Sequence, residues 1–127
     1  MADLLKSFLT IWRKSSVLNK YRVIIEKPAQ QDLRDIYEYI NKALMEPVIA
    51  KRLVGRIRKA IEGLDHMPER FSLYDSEPWR SKGIRRMNID NFAAFYTVVK
   101  DDLTVSVLAV IFGRRDISSV LDEKLRA

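Results

Sequence analysis

The sequence predicts an α+β fold in which an antiparallel sheet carries a helical hairpin on one face. Three observations predict it: a β-branched run near residue 21, two amphipathic helical patterns between residues 28 and 64, and three strand-like runs between residues 84 and 112. Helices and strands fall in separate runs, which is typical of α+β proteins and excludes a doubly wound design. The 127 residues, 47% of them hydrophobic, are enough for one domain with its own core.

Residues 1–20 form an N-terminal extension ahead of a domain that spans residues 21–127. Five apolar side chains of the extension share one helical stripe: Leu4, Leu5, Phe8, Leu9 and Trp12. The apolar part is interrupted by Lys6 and is too short to cross a bilayer, and no small-residue cleavage site follows it. We expect a short amphipathic helix that packs on its own domain in a cytoplasmic protein; a membrane-surface anchor is the alternative.

The domain begins with a strand and a helical hairpin. The run YRVIIE at Tyr21–Glu26 is β-branched and is stopped by Pro28, which predicts a strand. Apolar residues then recur at helical spacing over Leu33–Leu44 and, after a turn at Met45-Glu46, over Ala50–Leu64. Because the connection is so short, we expect two antiparallel helices.

The second half of the domain reads as a loop and a meander of strands. Two prolines and three aromatic residues between His66 and Lys82 predict a loop that is held by aromatic packing. The runs at 84–89, 92–99 and 104–112 predict a three-stranded antiparallel meander, and Ile117, Val120 and Leu121 predict a short C-terminal helix. The last strand, TVSVLAVIF, is apolar almost throughout, which indicates a central strand covered on both faces.

The amino-acid composition limits which kinds of catalytic or metal site the chain can form. The chain has no cysteine and only one histidine, His66, which excludes disulfides, thiol catalysis and Cys-ligated metals and disfavours a His-based site. We expect no metal, no cofactor and no small-molecule substrate, since nucleotide-binding and zinc motifs are absent from the sequence. A formal net charge of +6 favours an anionic partner instead.

The positive charge is concentrated in three places. The second helix carries Lys51, Arg52, Arg56 and Lys59 on one side without a carboxylate among them, which suits an anionic surface; an ordinary solvated face neutralised by acids of the first helix is the alternative.

The other two clusters fall on the sheet. One runs over Arg80, Lys82, Arg85 and Arg86, and the other is Arg114-Arg115. If these segments converge at one edge they form a basic rim, where arginines offer bidentate contacts to phosphate or carboxylate. Pairing of Arg85 or Arg86 with Asp90 or Asp116 is the structural alternative.

Residues 21–121 resemble the RelE/ParE family of toxins from type II toxin–antitoxin modules, also described as plasmid-stabilisation proteins. The resemblance is carried by YRVIIEKPAQQDLRDIYEYI, AKRLVGRIRKAIEGLDHMPE, GIRRMNIDNFAAFYTV and VLAVIFGRRDISSVL, in this order. It implies an α+β fold and a growth-arresting protein that a cognate antitoxin neutralises. RelE-like members cut mRNA on the ribosome with basic residues and an aromatic side chain, whereas ParE-like members inhibit DNA gyrase.

The resemblance favours a ParE-like member. The RelE-like pattern has arginines that Arg86 and Arg115 can match, but its middle-strand arginine falls near Ala93 and its C-terminal tyrosine near Leu121. His66 is the only group with a suitable unperturbed pKa for a general base, and its position favours a helix-end cap. We therefore expect a gyrase inhibitor that is not an enzyme, with a ribosome-dependent endoribonuclease using Arg86, Arg115 and His66 as the alternative.

The N-terminal extension departs from the family, whose members usually begin near the first strand. Either translation starts at Val17 or Leu18, or the stripe with Leu5, Phe8 and Trp12 is a real helix that packs on the sheet or in part of the antitoxin groove. Mass spectrometry of the native protein distinguishes the two, because an N-terminus at residue 1 contradicts the later start.

Overall fold

A computed structural model describes residues 20–113, 117, 120 and 121 of the chain. Within this part the chain forms a strand, a helical hairpin and then three strands. The elements are β1 (Arg22–Ile25), α1 (Lys27–Leu44), α2 (Pro47–Glu62), β2 (Arg85–Ile89), β3 (Phe92–Val99) and β4 (Thr104–Phe112). Two short 3₁₀ turns, Gly63–Asp65 and Pro68–Arg70, follow α2. The α+β class and the order of these elements confirm the prediction.

The four strands form one sheet in the order β1-β4-β3-β2. Strands β2, β3 and β4 make the predicted antiparallel meander, and β4 is an interior strand. The expectation of a wholly antiparallel sheet was wrong, because β1 pairs parallel with β4, from Arg22 opposite Thr104 to Ile25 opposite Val107. Whether β1 runs parallel or antiparallel to β4 depends on the path of the hairpin and the meander between these two strands. The local pattern of side chains does not encode this path.

The helical hairpin covers one face of the sheet. Each helix has a proline in its first turn, where the missing N–H costs nothing, and Met45 turns the chain between them with a φ of 55°. The buried core on this face includes Leu33, Ile57, Ile61, Leu64, Met87, Tyr96, Val105 and Val107. Burial of these apolar stripes, at about 25 cal/mol per Å², holds the hairpin against the sheet.

A second apolar cluster covers the opposite face. Trp79 from the loop lies there with Phe95, Ala109 and Ile111 of the sheet, and the ring of Tyr74 meets Phe95 edge to face at 5.5 Å. The predictions of a loop held by its aromatic residues and of a central strand covered on both faces are thus confirmed.

Two further predictions lie partly or wholly outside the described residues. The N-terminal amphipathic helix and Arg114-Arg115 belong to ranges that the structure does not describe. Of the predicted C-terminal helix, Ile117 and Leu121 are described as buried in the second cluster, with Val120 packed against it.

Tyr96 joins the sheet to the loop that follows α2. Its side chain is fully buried, and its hydroxyl donates a 2.5 Å hydrogen bond to the backbone carbonyl of Pro68. Burial raises the pKa of Tyr96 to about 12, although the positive charges of Arg85 and Arg70 act in the opposite direction. The phenol therefore stays protonated as a donor well above neutral pH.

Replacing Tyr96 with phenylalanine should lower the free energy of unfolding by about 1–2 kcal/mol at neutral pH, because the Pro68 carbonyl loses its buried donor. Urea denaturation followed by circular dichroism measures the change. Tyr39→Phe is the matched control, since that side chain is 71% exposed, and it should leave the stability unchanged. Equal effects of the two substitutions would contradict this account of Tyr96.

Stability should also fall at alkaline pH. An unfolded tyrosine loses its proton near pH 10, whereas Tyr96 in the folded chain holds it to about pH 12, so the folded state binds more protons over this interval. The free energy of unfolding should fall by up to about 1.4 kcal/mol per pH unit between these two values, in addition to any loss from other groups. Tyr96→Phe should show a shallower decline in urea midpoints over this range; parallel curves for the two proteins would refute the assignment.

Candidate functional site

A groove opens where β1 ends beside β4. Strand β1 has four residues and β4 has nine, so the second half of β4 has no β1 partner on that side. Helix α1 crosses there, and the buried carboxylate of Asp32 accepts a 2.9 Å hydrogen bond from the backbone N–H of Val110. Asp32 thus takes the place of a strand neighbour, as a buried N–H requires an acceptor.

The groove has a volume of about 1070 Å³ and lies between the hairpin and the end of the sheet. Tyr39 and Phe112 are exposed at its surface, and the ring of Phe112 lies 5.6 Å from that of Phe92. Its walls are Asp32, Asp35, Ile36, Tyr39, Ile40, Leu53, Arg56, Asp90, Asn91, Phe92, Val110, Ile111, Phe112 and Val120. An apolar channel with a few charged groups is suited to a peptide segment.

One basic residue of α2 belongs to this groove. Arg56 forms a 2.9 Å ion pair with Asp90, which lies in the β2–β3 turn. Neutralisation of the basic face by acids of the first helix was the alternative interpretation, and the partner of Arg56 instead comes from the β2–β3 turn. Within residues 20–113 no carboxylate pairs with Lys51, Arg52 or Lys59, which are exposed.

Arg85 and Arg86 lie on opposite faces of the sheet. Successive strand residues point to opposite sides, and Arg85 is opposite Tyr96 of the hairpin face whereas Arg86 is opposite Phe95 of the other face. Arg85 is largely buried and donates to the carbonyls of Phe71 and Glu69, with the Glu69 carboxylate 3.5 Å away. These contacts replace the pairing with Asp90 that the sequence suggested, and they make Arg85 a structural residue.

Arg86 is placed to bind an anion. Its Nε donates to the side chain of Asn88 at 2.8 Å, its guanidinium lies 5.8 Å from the centre of the Phe95 ring, and no carboxylate of the described residues pairs with it. A Cβ added to Gly113 would lie 3.4 Å from Nη2 of Arg86, so the guanidinium reaches the end of β4. Arg114-Arg115 follows directly in the chain, outside the described residues.

Arg70 holds the chain that follows α2, and the His66 ring has a different contact. The guanidinium of Arg70 donates to the carbonyls of Gly63, His66 and Met67. The backbone N–H of His66 donates to the Gly63 carbonyl at the end of the 3₁₀ turn that follows α2, as the expected cap requires. The His66 ring instead lies 2.6 Å from the Asp65 carboxylate. Arg70 thus satisfies three carbonyls in the turns between α2 and the loop, one of them at the C-cap position of the helix.

The two positions where a RelE-like nuclease would carry an arginine and a tyrosine are core positions here. Ala93 is fully buried in β3, and Leu121 is fully buried in the second cluster beside Ile111 and Trp79. An arginine or a tyrosine at either position would have to displace this packing. No set of three or more His, Asp or Glu side chains in the described part could hold a metal ion.

Sequence reasoning missed the groove and its buried carboxylate. Asp32 looks like an ordinary polar residue beside Leu33 in an amphipathic helix, and its partner Val110 lies 78 residues away. Tyr39 could have indicated the groove from the sequence. It lies next to the apolar stripe of α1, and an aromatic side chain there widens the apolar surface beyond what the core buries.

The family model described as the ParE toxin of the type II toxin–antitoxin system, parDE, matches residues 23–117. The chain belongs to this toxin family. No curated protein sequence matches the toxin. None of the described helices is both long and apolar enough to cross a membrane.

Solved structures share the toxin's fold. The chromosomal ParDE system from P. aeruginosa matches with a TM-score of 0.60 and 21% identity, over 74% of this chain and 97% of that one. The RelBE2 toxin–antitoxin complex from Mycobacterium tuberculosis has a TM-score of 0.52 and 19% identity, over 73% and 91%. A mutant E. coli RelE toxin in the free state has a TM-score of 0.54 and 14% identity, over 84% and 96%. The fold expected from the RelE/ParE resemblance is confirmed.

Asp32→Ala should destabilise the toxin by about 1–3 kcal/mol, because the buried N–H of Val110 loses its acceptor. Amide hydrogen exchange should show the largest loss of protection at Val110 and its neighbours. Asp75→Ala is the control, because this carboxylate is exposed in the loop before β2, and the substitution should change neither quantity. Unchanged protection at Val110 in the Asp32 variant would contradict the role assigned to this carboxylate.

Proposed function

We propose that this toxin arrests growth by inhibiting DNA gyrase and that a cognate antitoxin neutralises it. The observation that carries the proposal is the burial of Ala93 and Leu121, since the groups that a RelE-like nuclease requires are replaced by apolar packing. The match to the ParE toxin model over most of the chain supports the same choice. Gyrase inhibition needs a docking surface and no bond-breaking chemistry, so the missing groups are no obstacle to it.

The groups available as a general base agree with a toxin that does not cleave RNA. Cleavage of RNA by a 2′-hydroxyl needs a general base that accepts its proton, and arginine stays protonated at neutral pH. His66 is bound to the Asp65 carboxylate at the end of α2, and the backbone N–H of Tyr21 donates to the carbonyl of the same Asp65. The histidine is thus beside the start of β1, whereas Arg86 reaches the end of β4.

We assign target binding to Arg86 together with Arg114 and Arg115, and give the exposed bases of α2, Lys51, Arg52 and Lys59, a secondary role. No carboxylate of the described residues pairs with Arg86, and its guanidinium reaches Gly113, which precedes the other two arginines in the chain. Arginine suits acidic protein surfaces because its planar guanidinium makes bidentate contacts with carboxylates. Arg85 takes no part, since its guanidinium is bound by Glu69 and the carbonyl of Phe71.

We assign antitoxin binding to the groove. It offers apolar side chains from α1 and β4 on the hairpin face, and among the solved relatives are toxin–antitoxin complexes of ParDE and RelBE systems. The antitoxin would therefore lie between the hairpin and the end of the sheet, while Arg86 lies on the face away from the hairpin.

A ribosome-dependent endoribonuclease is the second candidate. The observation that favours it is the position of Arg86 beside the end of β4, where an arginine cluster with Arg115 could bind a phosphate. The free RelE toxin shares the fold, which fits either target. In this case the proton of the 2′-hydroxyl would have to be accepted by a group of the ribosome or the RNA.

The purified toxin should inhibit supercoiling of relaxed plasmid by gyrase, and Arg86→Ala should weaken this inhibition about 10- to 100-fold. Loss of a hydrogen bond to a charged partner costs about 1.5–3 kcal/mol, which corresponds to this range. A gel assay with titrated toxin measures the half-inhibitory concentration. Primer extension on mRNA from expressing cells tests the second candidate in parallel.

Arg34→Ala is the matched control for Arg86→Ala, since Arg34 is an exposed arginine on α1 and the change in net charge is the same. It should leave inhibition within about twofold, as the removal of one distant surface charge has little effect on a specific contact. Discrete mRNA cuts together with normal gyrase activity would overturn the proposal. Equal loss of inhibition in both variants would show that only the total charge matters.

A further inference from the structure

The exposed apolar surface of the groove extends beyond the sheet onto the hairpin. Tyr39 is 71% exposed and Phe112 is 40% exposed, and at the tip of the hairpin Leu44 and Met45 are 52% and 81% exposed. Large exposed apolar patches on a small protein usually mark a docking surface. The free toxin would leave this patch in water unless something covers it.

The chain contains a segment with the matching pattern. Residues 4–12 carry an apolar stripe of five residues, which needs an apolar surface to cover it. An amphipathic stripe of this length is the complement of an apolar groove, in the same way that target helices dock on their partners.

The segment is long enough to reach the groove. Tyr21 is fixed beside Asp65 at the Thr104 end of β4, and the groove begins near Val110, about 20 Å away along the strand. Residues 13–20 can span about 26 Å when extended. The stripe can therefore lie on the groove while β1 remains in the sheet.

The charges are complementary. Asp35 lines the groove, and Glu38 is exposed nearly one turn further along α1. The segment carries Lys6 within its stripe region and Arg13 and Lys14 directly after it. Opposite charges at the rim of an apolar contact favour one orientation of a docked helix.

We propose that residues 4–12 dock in cis on the groove, with Phe8 and Trp12 against Tyr39 and Phe112. The free toxin then covers its own apolar surface, and any partner that binds the groove must first displace the segment. The docking itself does not depend on the gyrase target; only the consequence that an antitoxin has to compete with residues 4–12 rests on the proposed function.

Fluorine NMR of the full chain labelled with fluorotryptophan tests this docking. The chain has two tryptophans, and Trp79 is 3% exposed, so it serves as a buried internal standard and as a reporter of folding. We expect Trp12 to be protected from a soluble paramagnetic probe. The combined substitution Tyr39→Ser and Phe112→Ser should raise the paramagnetic relaxation of Trp12 severalfold and leave the Trp79 resonance unchanged.

Val99→Ser is the matched control, because Val99 is a 42% exposed apolar residue at the other end of β3, and it should leave Trp12 protected. Asp35→Lys tests the charge contact in a chain with an intact apolar groove and should also increase the exposure of Trp12. The inference is overturned if Trp12 is accessible in the unaltered chain or stays protected in the Tyr39 and Phe112 variant. Protection that disappears on dilution would overturn it as well, since it would show docking on a second copy.

Discussion

The hydrogen bond from the Val110 N–H to Asp32 supplies the acceptor that β4 lacks beyond the end of β1. Strand β4 is covered on both faces, and its neighbour β1 accompanies it for only four residues. A buried strand edge without acceptors would be costly, so α1 delivers a carboxylate to the point where β1 stops. The crossing of α1 over the end of β4 also creates the groove. It determines which side of α1 is exposed to solvent, and Tyr39 lies on that side.

The sheet also separates the two surfaces for which we propose binding roles. The apolar groove lies between the hairpin and the end of the sheet, and Arg86 lies on the face away from the hairpin, with the second aromatic cluster. Strand alternation in β2 is the cause, since it turns Arg85 inward to the carbonyl of Phe71 and leaves its neighbour available. Two adjacent arginines thus have unrelated roles, one in holding the loop and one facing outward.

Local patterns were sufficient for every described helix and strand, because periodicity and proline positions are properties of neighbouring residues. The parallel pairing of β1 and the carboxylate of Asp32 were not accessible, as both depend on contacts between residues about 80 positions apart. For the site, the missing arginine at Ala93 and tyrosine at Leu121 could be read from the resemblance, but their burial could not. The charge clusters of the sequence did not show that Arg85 and Arg86 have different environments. The difference arises because Arg85 pairs with Glu69, a contact that only the folded chain makes.

The position of β1 has a consequence for synthesis of the protein. This strand leaves the ribosome before any other element of the sheet, yet its neighbour β4 is the last strand to be made. The hydrogen bonds of Glu26 with Val107 and Ser106, and of Asp32 with Val110, can form only after β4 has been made. Contacts of such long sequence separation slow folding, because a large loop must close before they form. The nascent chain therefore cannot assemble the four-stranded sheet, or the surfaces built on it, until β4 has emerged.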